Sequence, residues 1–160
     1  METMKENIFE KITELLAKHI IQYQVKEHLP TRTSEESAWH RGEPLKIGAK
    51  AMVMKTDTQF ILAVLPADRK IDSARLKQAL NTRNLRFATT EELLELTGLV
   101  PGAIPPFGSL FNLPMIVDKA LLEEEYMAFN AGSLEKSIKM KVKDYVDVVT
   151  PRIEEFSIGK

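Results

Sequence analysis

Apolar residues recur at Ile8, Phe9, Ile12, Leu15, Leu16 and Ile20, and this spacing of three and four predicts a helix from about Lys5 to Ile20 with one buried stripe. The period then shortens to two. Ile21, Tyr23 and Val25 alternate with Gln22, Gln24 and Lys26, so a strand runs toward the break at Leu29-Pro30. Thr33-Ser34-Glu35-Glu36 has the spacing of a capping box, in which a hydroxyl and a carboxylate three residues apart satisfy the open amides of a helix start. A short helix to about His40 follows from it.

Gly48 to Lys55 and Phe60 to Leu65 read as a hairpin joined through the polar turn Thr56-Asp57-Thr58-Gln59. The second strand is apolar on both faces, which predicts a central strand covered from both sides, ended by Pro66. Asp72 caps a helix carrying Ala74, Leu76, Ala79 and Leu80, and a brief strand at Arg86-Phe87-Ala88 leads to a second capping box, Thr89-Thr90-Glu91-Glu92. Gly98 stops the helix that this box starts. Pro101 to Gly108, with three prolines and two glycines, is a loop whose backbone is fixed in places and bare in others. Short strands at 115–117, 126–129 and 138–142 and a helix near 145–149, closed by Pro151, complete the pattern. Strands and helices interleave irregularly, so the fold class is α+β, a mixed, curved or barrel-like sheet with helices around it.

A chain of 160 residues, 44% hydrophobic and 28% charged, fits one domain over residues 1–160. No apolar run is long enough for a membrane span and the N-terminus opens polar, so a cytoplasmic protein without a signal peptide is expected. The absence of cysteine removes thiolate nucleophiles, disulfides and thiolate metal sites. A net charge of -1 argues against coating a nucleic acid wholesale. Two local basic faces remain open: Lys139, Lys141 and Lys143, which strict alternation puts on one side of a strand, and the stretch from Arg69-Lys70 through Arg75, Lys77, Arg83 and Arg86.

His19, His28 and His40 lack the spacing of a helical metal site, so neither a metal nor another cofactor is expected. Ser73, Ser109 and Ser133 lack a nucleophile-elbow context, and no phosphate-binding glycine loop is present. Two features stand out. Lys50 begins a strand that is otherwise apolar to Met54, and the Pro101–Gly108 loop is the least ordinary stretch of the chain. Each also has a plain structural explanation, a strand-edge cation and a proline crossing.

Together they resemble the YbaK/ProX family of freestanding aminoacyl-tRNA deacylases, relatives of the editing domain of bacterial prolyl-tRNA synthetases. The resemblance runs through His28-Leu29-Pro30 with Thr33-Ser34-Glu35-Glu36, the lysine strand Gly48 to Lys55, Val64 to Asp72, the Gly98–Gly108 segment, Val117-Asp118 and Asn130-Ala131-Gly132-Ser133. It implies hydrolysis of the ester between a wrong amino acid and the terminal ribose of a tRNA, most commonly the prolyl tRNA. It further implies Lys50 and Gly102 as catalytic positions, with Lys50 holding phosphate, ribose or developing charge rather than acting as base. Gly102 through Pro106 would present backbone amides to the ester. Substrate would be lined by His28, Thr33, Ala103, Ile104, Pro105, Pro106, Phe107, Gly108, Asn130, Gly132 and Ser133. Mischarged aminoacyl-tRNA is the implied partner, with prolyl-tRNA synthetase or the elongation machinery as further ones. Two departures bear on the mechanism: Ala103 stands where some members have glycine, and no histidine stands near Asn130 or Leu134. The competing readings are a non-catalytic module that binds an adenosine-like or phosphorylated ligand or regulates a synthetase, and a structural domain whose lysine face meets RNA nonspecifically.

Overall fold

The continuous apolar run of the second hairpin strand has to be covered on both faces, and that requirement organises the domain. A computed structural model describes residues 4–30 and 33–159; the side chains of residues 4–7, 34, 37, 40 and 41 lie outside that description. Strands β2 (Ala49–Lys55) and β3 (Phe60–Pro66) form the expected antiparallel hairpin, with β3 buried along almost its whole length. β3 is the centre of a five-stranded mixed sheet. β5 (Arg86–Phe87) pairs outside β2, whereas β6 (Met115–Asp118) and β9 (Arg152–Glu154) continue from β3 in parallel. A second, antiparallel sheet runs β1 (Tyr23–Glu27), β8 (Lys136–Lys141), β7 (Tyr126–Asn130), and β4 (Arg69–Ile71) pairs with β10 (Ser157–Gly159).

One parallel bridge, Gly48 to Ala128, ties the two larger sheets together. Between them lies the main core. Val53, Leu62, Val64 and Val117 from the first sheet meet Met127, Phe129, Ile138 and Met140 from the second. Helix α1 (Met4–Lys18) adds Ile8, Ile12 and Leu16, spaced four apart and each at most 1% exposed. The opposite face of β2 and β3 carries Met54, Ile61, Ala63 and Leu65 against Leu76 of α3 (Ser73–Leu80) and Phe156. β3 is thus covered on both faces.

Helix ends follow the sequence closely. Thr33 caps α2 (Ser34–Arg41) by accepting the Glu36 amide, and Asp72 caps α3 through the Arg75 amide. The capping box of α4 (Thr90–Thr97) is complete, and Gly98 ends the helix at φ +74°. Hydrogen bonds from the Arg86 guanidinium, then the Thr89 amide, lower the Glu92 carboxyl to a pKa of about 2.

Two expectations are corrected, and one open reading is narrowed. The α1 stripe stops before Ile20, which is 92% exposed in a left-handed backbone conformation, because the helix ends at Lys18 and the chain must turn into β1. Lys143 does not share a strand face with Lys139 and Lys141, because β8 ends at Lys141 and α5 (Val142–Val149) begins directly after it. Much of the Arg69–Arg86 stretch is committed within the fold: Arg69 donates to Ser157, Arg75 pairs with Asp72 and Arg86 with Glu92. The pattern also gave no sign of β4, β9 and β10.

Asp118 explains how the last strand is held. Its buried carboxylate accepts the amides of Phe156, Ser157 and Ala120 and the Ser157 hydroxyl. Replacing Asp118 with alanine strands these buried donors, an expected loss of about 3 kcal/mol. For a domain of this size that corresponds to a melting temperature roughly 6–12 °C lower, to be read by circular dichroism. A shift under 2 °C, roughly half a kcal/mol, would refute this role of Asp118.

Candidate functional site

The proline-glycine loop is part of the core rather than a crossing laid over it. Ala103, Ile104, Pro105, Pro106, Phe107 and Gly108 are all buried, and of the stretch 102–108 only Gly102 is exposed. Phe107 packs edge-on against Phe129 and Tyr145, with ring centroids 5.4 and 5.5 Å away. The Tyr145 hydroxyl donates to the Pro106 carbonyl at 2.6 Å. Burial pushes the Tyr145 pKa far above the ordinary tyrosine value, so the hydroxyl keeps its proton. Gly108 has no room for a side chain: a Cβ there would lie 2.4 Å from the Leu113 carbonyl oxygen. Its amide donates to Met115 Sδ at 3.0 Å.

Tracing the loop's backbone groups one by one separates those that hold it from those left over. The Gly102 carbonyl accepts from Asn130 Nδ2 at 2.8 Å, and the Ala103 carbonyl accepts the Gly132 amide at 3.0 Å. The Ala103 amide goes to Val100 and the Phe107 amide to Pro105. Pro105 and Pro106 have no amide hydrogen. Among the described residues, the amides of Gly102 and Ile104 alone in the stretch 102–108 have no acceptor. All described peptide bonds are trans, so the bond that Gly132 makes to the Ala103 carbonyl turns the Ile104 amide the opposite way. Gly102, at φ +88°, and Gly132, at φ +79°, adopt the backbone conformation that this geometry needs and that other residues rarely reach.

The wall beside Gly102 comes from the second sheet. Asn130 ends β7 directly opposite Ser137 of β8. Ser137 Oγ donates to Asn130 Oδ1 at 3.2 Å and lies 2.7 Å from Nε2 of His28, whose Nδ1 lies 2.9 Å from the Leu29 carbonyl. His28, Ser137, Asn130 and the Gly102 carbonyl therefore form one hydrogen-bonded chain. Lys50 belongs to the same side of the molecule. Its neighbours Ala49 and Val53 face the main core, so alternation turns Lys50 to the other face of β2, that of Met54, with Leu65 as cross-strand partner. Asn130 likewise alternates with core-facing Met127 and Phe129. Counting two residues on from the Gly48–Ala128 bridge brings Lys50 level with Asn130.

The structure thus brings together Gly102, Ala103, Asn130, Gly132 and His28, with Ile104 next in the loop, and the register of the bridge sets Lys50 level with Asn130. Side chains of Ala103 and Phe107 point into the core, so only backbone from these residues can face a ligand. The hydroxyls of two other predicted residues are used locally: Thr33 caps α2, and Ser133 accepts the Glu135 amide in the β7–β8 turn. Ser137 and Leu134 were missed. Leu134 stands against Gly102, its Cδ2 3.3 Å from where a Cβ would be. For Ser137 the only sequence signal is its place on the polar side of β8. No group of three or more metal-ligating side chains occurs among the described residues, and the side chain of His40, one of the three histidines weighed for a metal, lies outside them.

A small α+β domain with a candidate site built largely from loop backbone is the class that fold and geometry define. The chain belongs to the aminoacyl-tRNA editing domain family, whose model matches residues 28–148. It is 34% identical over 152 residues to the multifunctional Ser/Thr-tRNA deacylase ProXp-y of Escherichia coli (strain K12), spanning 92% of this chain and 91% of the relative. Part of the chain, 59%, aligns with 17% of a proline–tRNA ligase of Bacillus licheniformis at 32% identity. A solved structure described as a candidate trans-editing enzyme for prolyl tRNA synthetase superposes with a TM-score of 0.84 at 23% identity, covering 99% of both chains. The hypothetical protein APE2540 superposes equally well, with a TM-score of 0.84 over 92% of this chain and 99% of that one.

Changing Tyr145 to phenylalanine keeps the ring against Phe107 but leaves the buried Pro106 carbonyl without its donor. Urea unfolding should show a loss of about 1–3 kcal/mol. An unchanged midpoint and slope would mean that this hydrogen bond does not hold the loop.

Proposed function

We propose that the chain removes wrongly attached amino acids from tRNA, with the acyl ester held at the backbone of Gly102 to Ile104 and Lys50 beside it. The single observation that carries the residue assignment is the pair of unused amides at Gly102 and Ile104, in a loop whose other amides and whose Gly102, Ala103 and Pro106 carbonyls are hydrogen-bonded. An aminoacyl ester is already activated, so catalysis needs an oriented water and stabilisation of the oxyanion more than a nucleophilic side chain. Water adds to the carbonyl carbon and the resulting oxyanion accepts from the two amides. The ester C–O bond then breaks; of the two water protons one leaves on the ribose oxygen and the other goes to solvent, so that the amino acid departs as its carboxylate. Donors whose direction is set before substrate arrives need no reorganisation during the reaction, and loss of one such donor costs about 10²–10³ in kcat in well-studied hydrolases.

Lys50 extends from the Met54 face of β2 at the level of Asn130, where an ammonium can hold a phosphate or ribose of the terminal nucleotide. Leu134, against Gly102, borders the space left for the amino acid. The relative's substrates, seryl- and threonyl-tRNA, are the first to test here, with the prolyl tRNA as carrier of choice. One editing domain over residues 1–160, acting in the cytoplasm where charged tRNA is found, completes the proposal. The family relationship favours this reading over a non-catalytic ligand-binding module.

The test is deacylation of a panel of mischarged tRNAs by the wild type, Lys50→Ala and Gly102→Ala. At least one substrate should be hydrolysed, and Lys50→Ala should lower kcat/KM about tenfold or more, as expected for removing one charged contact. Gly102→Ala sets a Cβ against Leu134 in a backbone region disfavoured for alanine, and should also lose about tenfold or more. No turnover on any member would contradict the enzyme reading; full activity in Gly102→Ala would remove the loop from the site.

A further inference from the structure

We infer that Ser137 is a positioning residue of this site, a buried hydroxyl that fixes Asn130 and, through it, the Gly102 peptide. The inference rests on the deacylase reading for its effect on rate, but the strut itself is independent of it. Ser137 is 1% exposed, yet it sits on the side of β8 that carries Lys139 and Lys141. A serine there contributes almost no apolar surface, so its Oγ needs polar partners to offset the loss of water. His28 Nε2 at 2.7 Å and Asn130 Oδ1 at 3.2 Å are such partners. With the Asn130 carbonyl oxygen held, the amide plane is fixed and Nδ2 is aimed at the Gly102 carbonyl, 2.8 Å away. Gly102 cannot set its own orientation, because at φ +88° and without a side chain its backbone has wide freedom. The adjoining β7–β8 turn serves the same end, since the Gly132 amide holds the Ala103 carbonyl. Both peptides flanking Ala103 are therefore oriented from this turn and the strand ends beside it, with Ser137 one hydrogen bond behind Asn130.

A residue acting only through Asn130 has no effect once Asn130 is gone. Ser137→Ala should lower kcat about tenfold with KM changed less than about twofold, and Ser137→Ala combined with Asn130→Ala should be no slower than Asn130→Ala alone. Losses that multiply in the double variant would overturn the proposal, because Ser137 would then act by another route. A second measurement needs no turnover: in the folded protein, Ser137→Ala should displace the NMR resonances of the Asn130 side-chain amide and of the Gly102 and Ala103 backbone amides. Unmoved resonances would also overturn it. If the wild type hydrolyses none of the tRNAs, the deacylase reading fails, and the resonances alone decide the strut.

Discussion

Phe107 stands between Phe129 and Tyr145, and the candidate site depends on that wedge. A segment with three prolines cannot join a sheet ladder or a helix, so its polar groups have to be satisfied one at a time. Here the core does so from below: Tyr145 takes the Pro106 carbonyl, Gly132 the Ala103 carbonyl and Asn130 the Gly102 carbonyl. Because a trans peptide directs its two polar groups oppositely, pinning the Ala103 carbonyl on one side commits the Ile104 amide to the other. Rigidity and the direction of that unused donor are thus two results of the same packing.

That arrangement suits a reaction in which the substrate brings its own reactivity. The hydrogen-bonded chain of His28, Ser137, Asn130 and Gly102 contains no carboxylate, and its one hydroxyl beside an imidazole, that of Ser137 at His28, is buried and donates to Asn130 Oδ1. Backbone donors in a fixed loop and one lysine on a sheet edge are enough when the bond to be broken is an activated ester and the attacking group is water. The missing histidine near Asn130 and Leu134 then matters less than the direction of the amides. In the proposed site selectivity would fall to a different part, the space bordered by Leu134, where one methylene changes discrimination by only about 1–3 kcal/mol.

Elements whose cause is local were legible in the sequence. The Thr33 cap, the Thr89 capping box, the Asp72 cap, the Gly98 stop and the doubly covered β3 appear where spacing placed them. What escaped was set by partners far away in the chain. β9 and β10 are three residues each and exist because β6 and β4 offer them an edge, with Asp118 holding the turn between them. Ile20 fits a helical stripe by spacing but falls beyond the helix end. For the site, composition marked the loop and Lys50 as unusual, and the family resemblance gave them a purpose. Neither could say that Ala103 and Phe107 are core side chains, or that Ser137, in an unremarkable alternating strand, closes a chain of hydrogen bonds onto Gly102.

The most direct test of the unused amides is to observe them while the site is filled. Backbone amide resonances should be followed by NMR as a non-hydrolysable aminoacyl-adenosine, its ester replaced by an amide, is added to the wild-type protein. The Gly102 and Ile104 amide protons should move downfield as they gain an acceptor, while the Ala103 amide, already bonded to Val100, moves much less. Saturable binding that shifts other residues and leaves Gly102 and Ile104 in place would contradict the account.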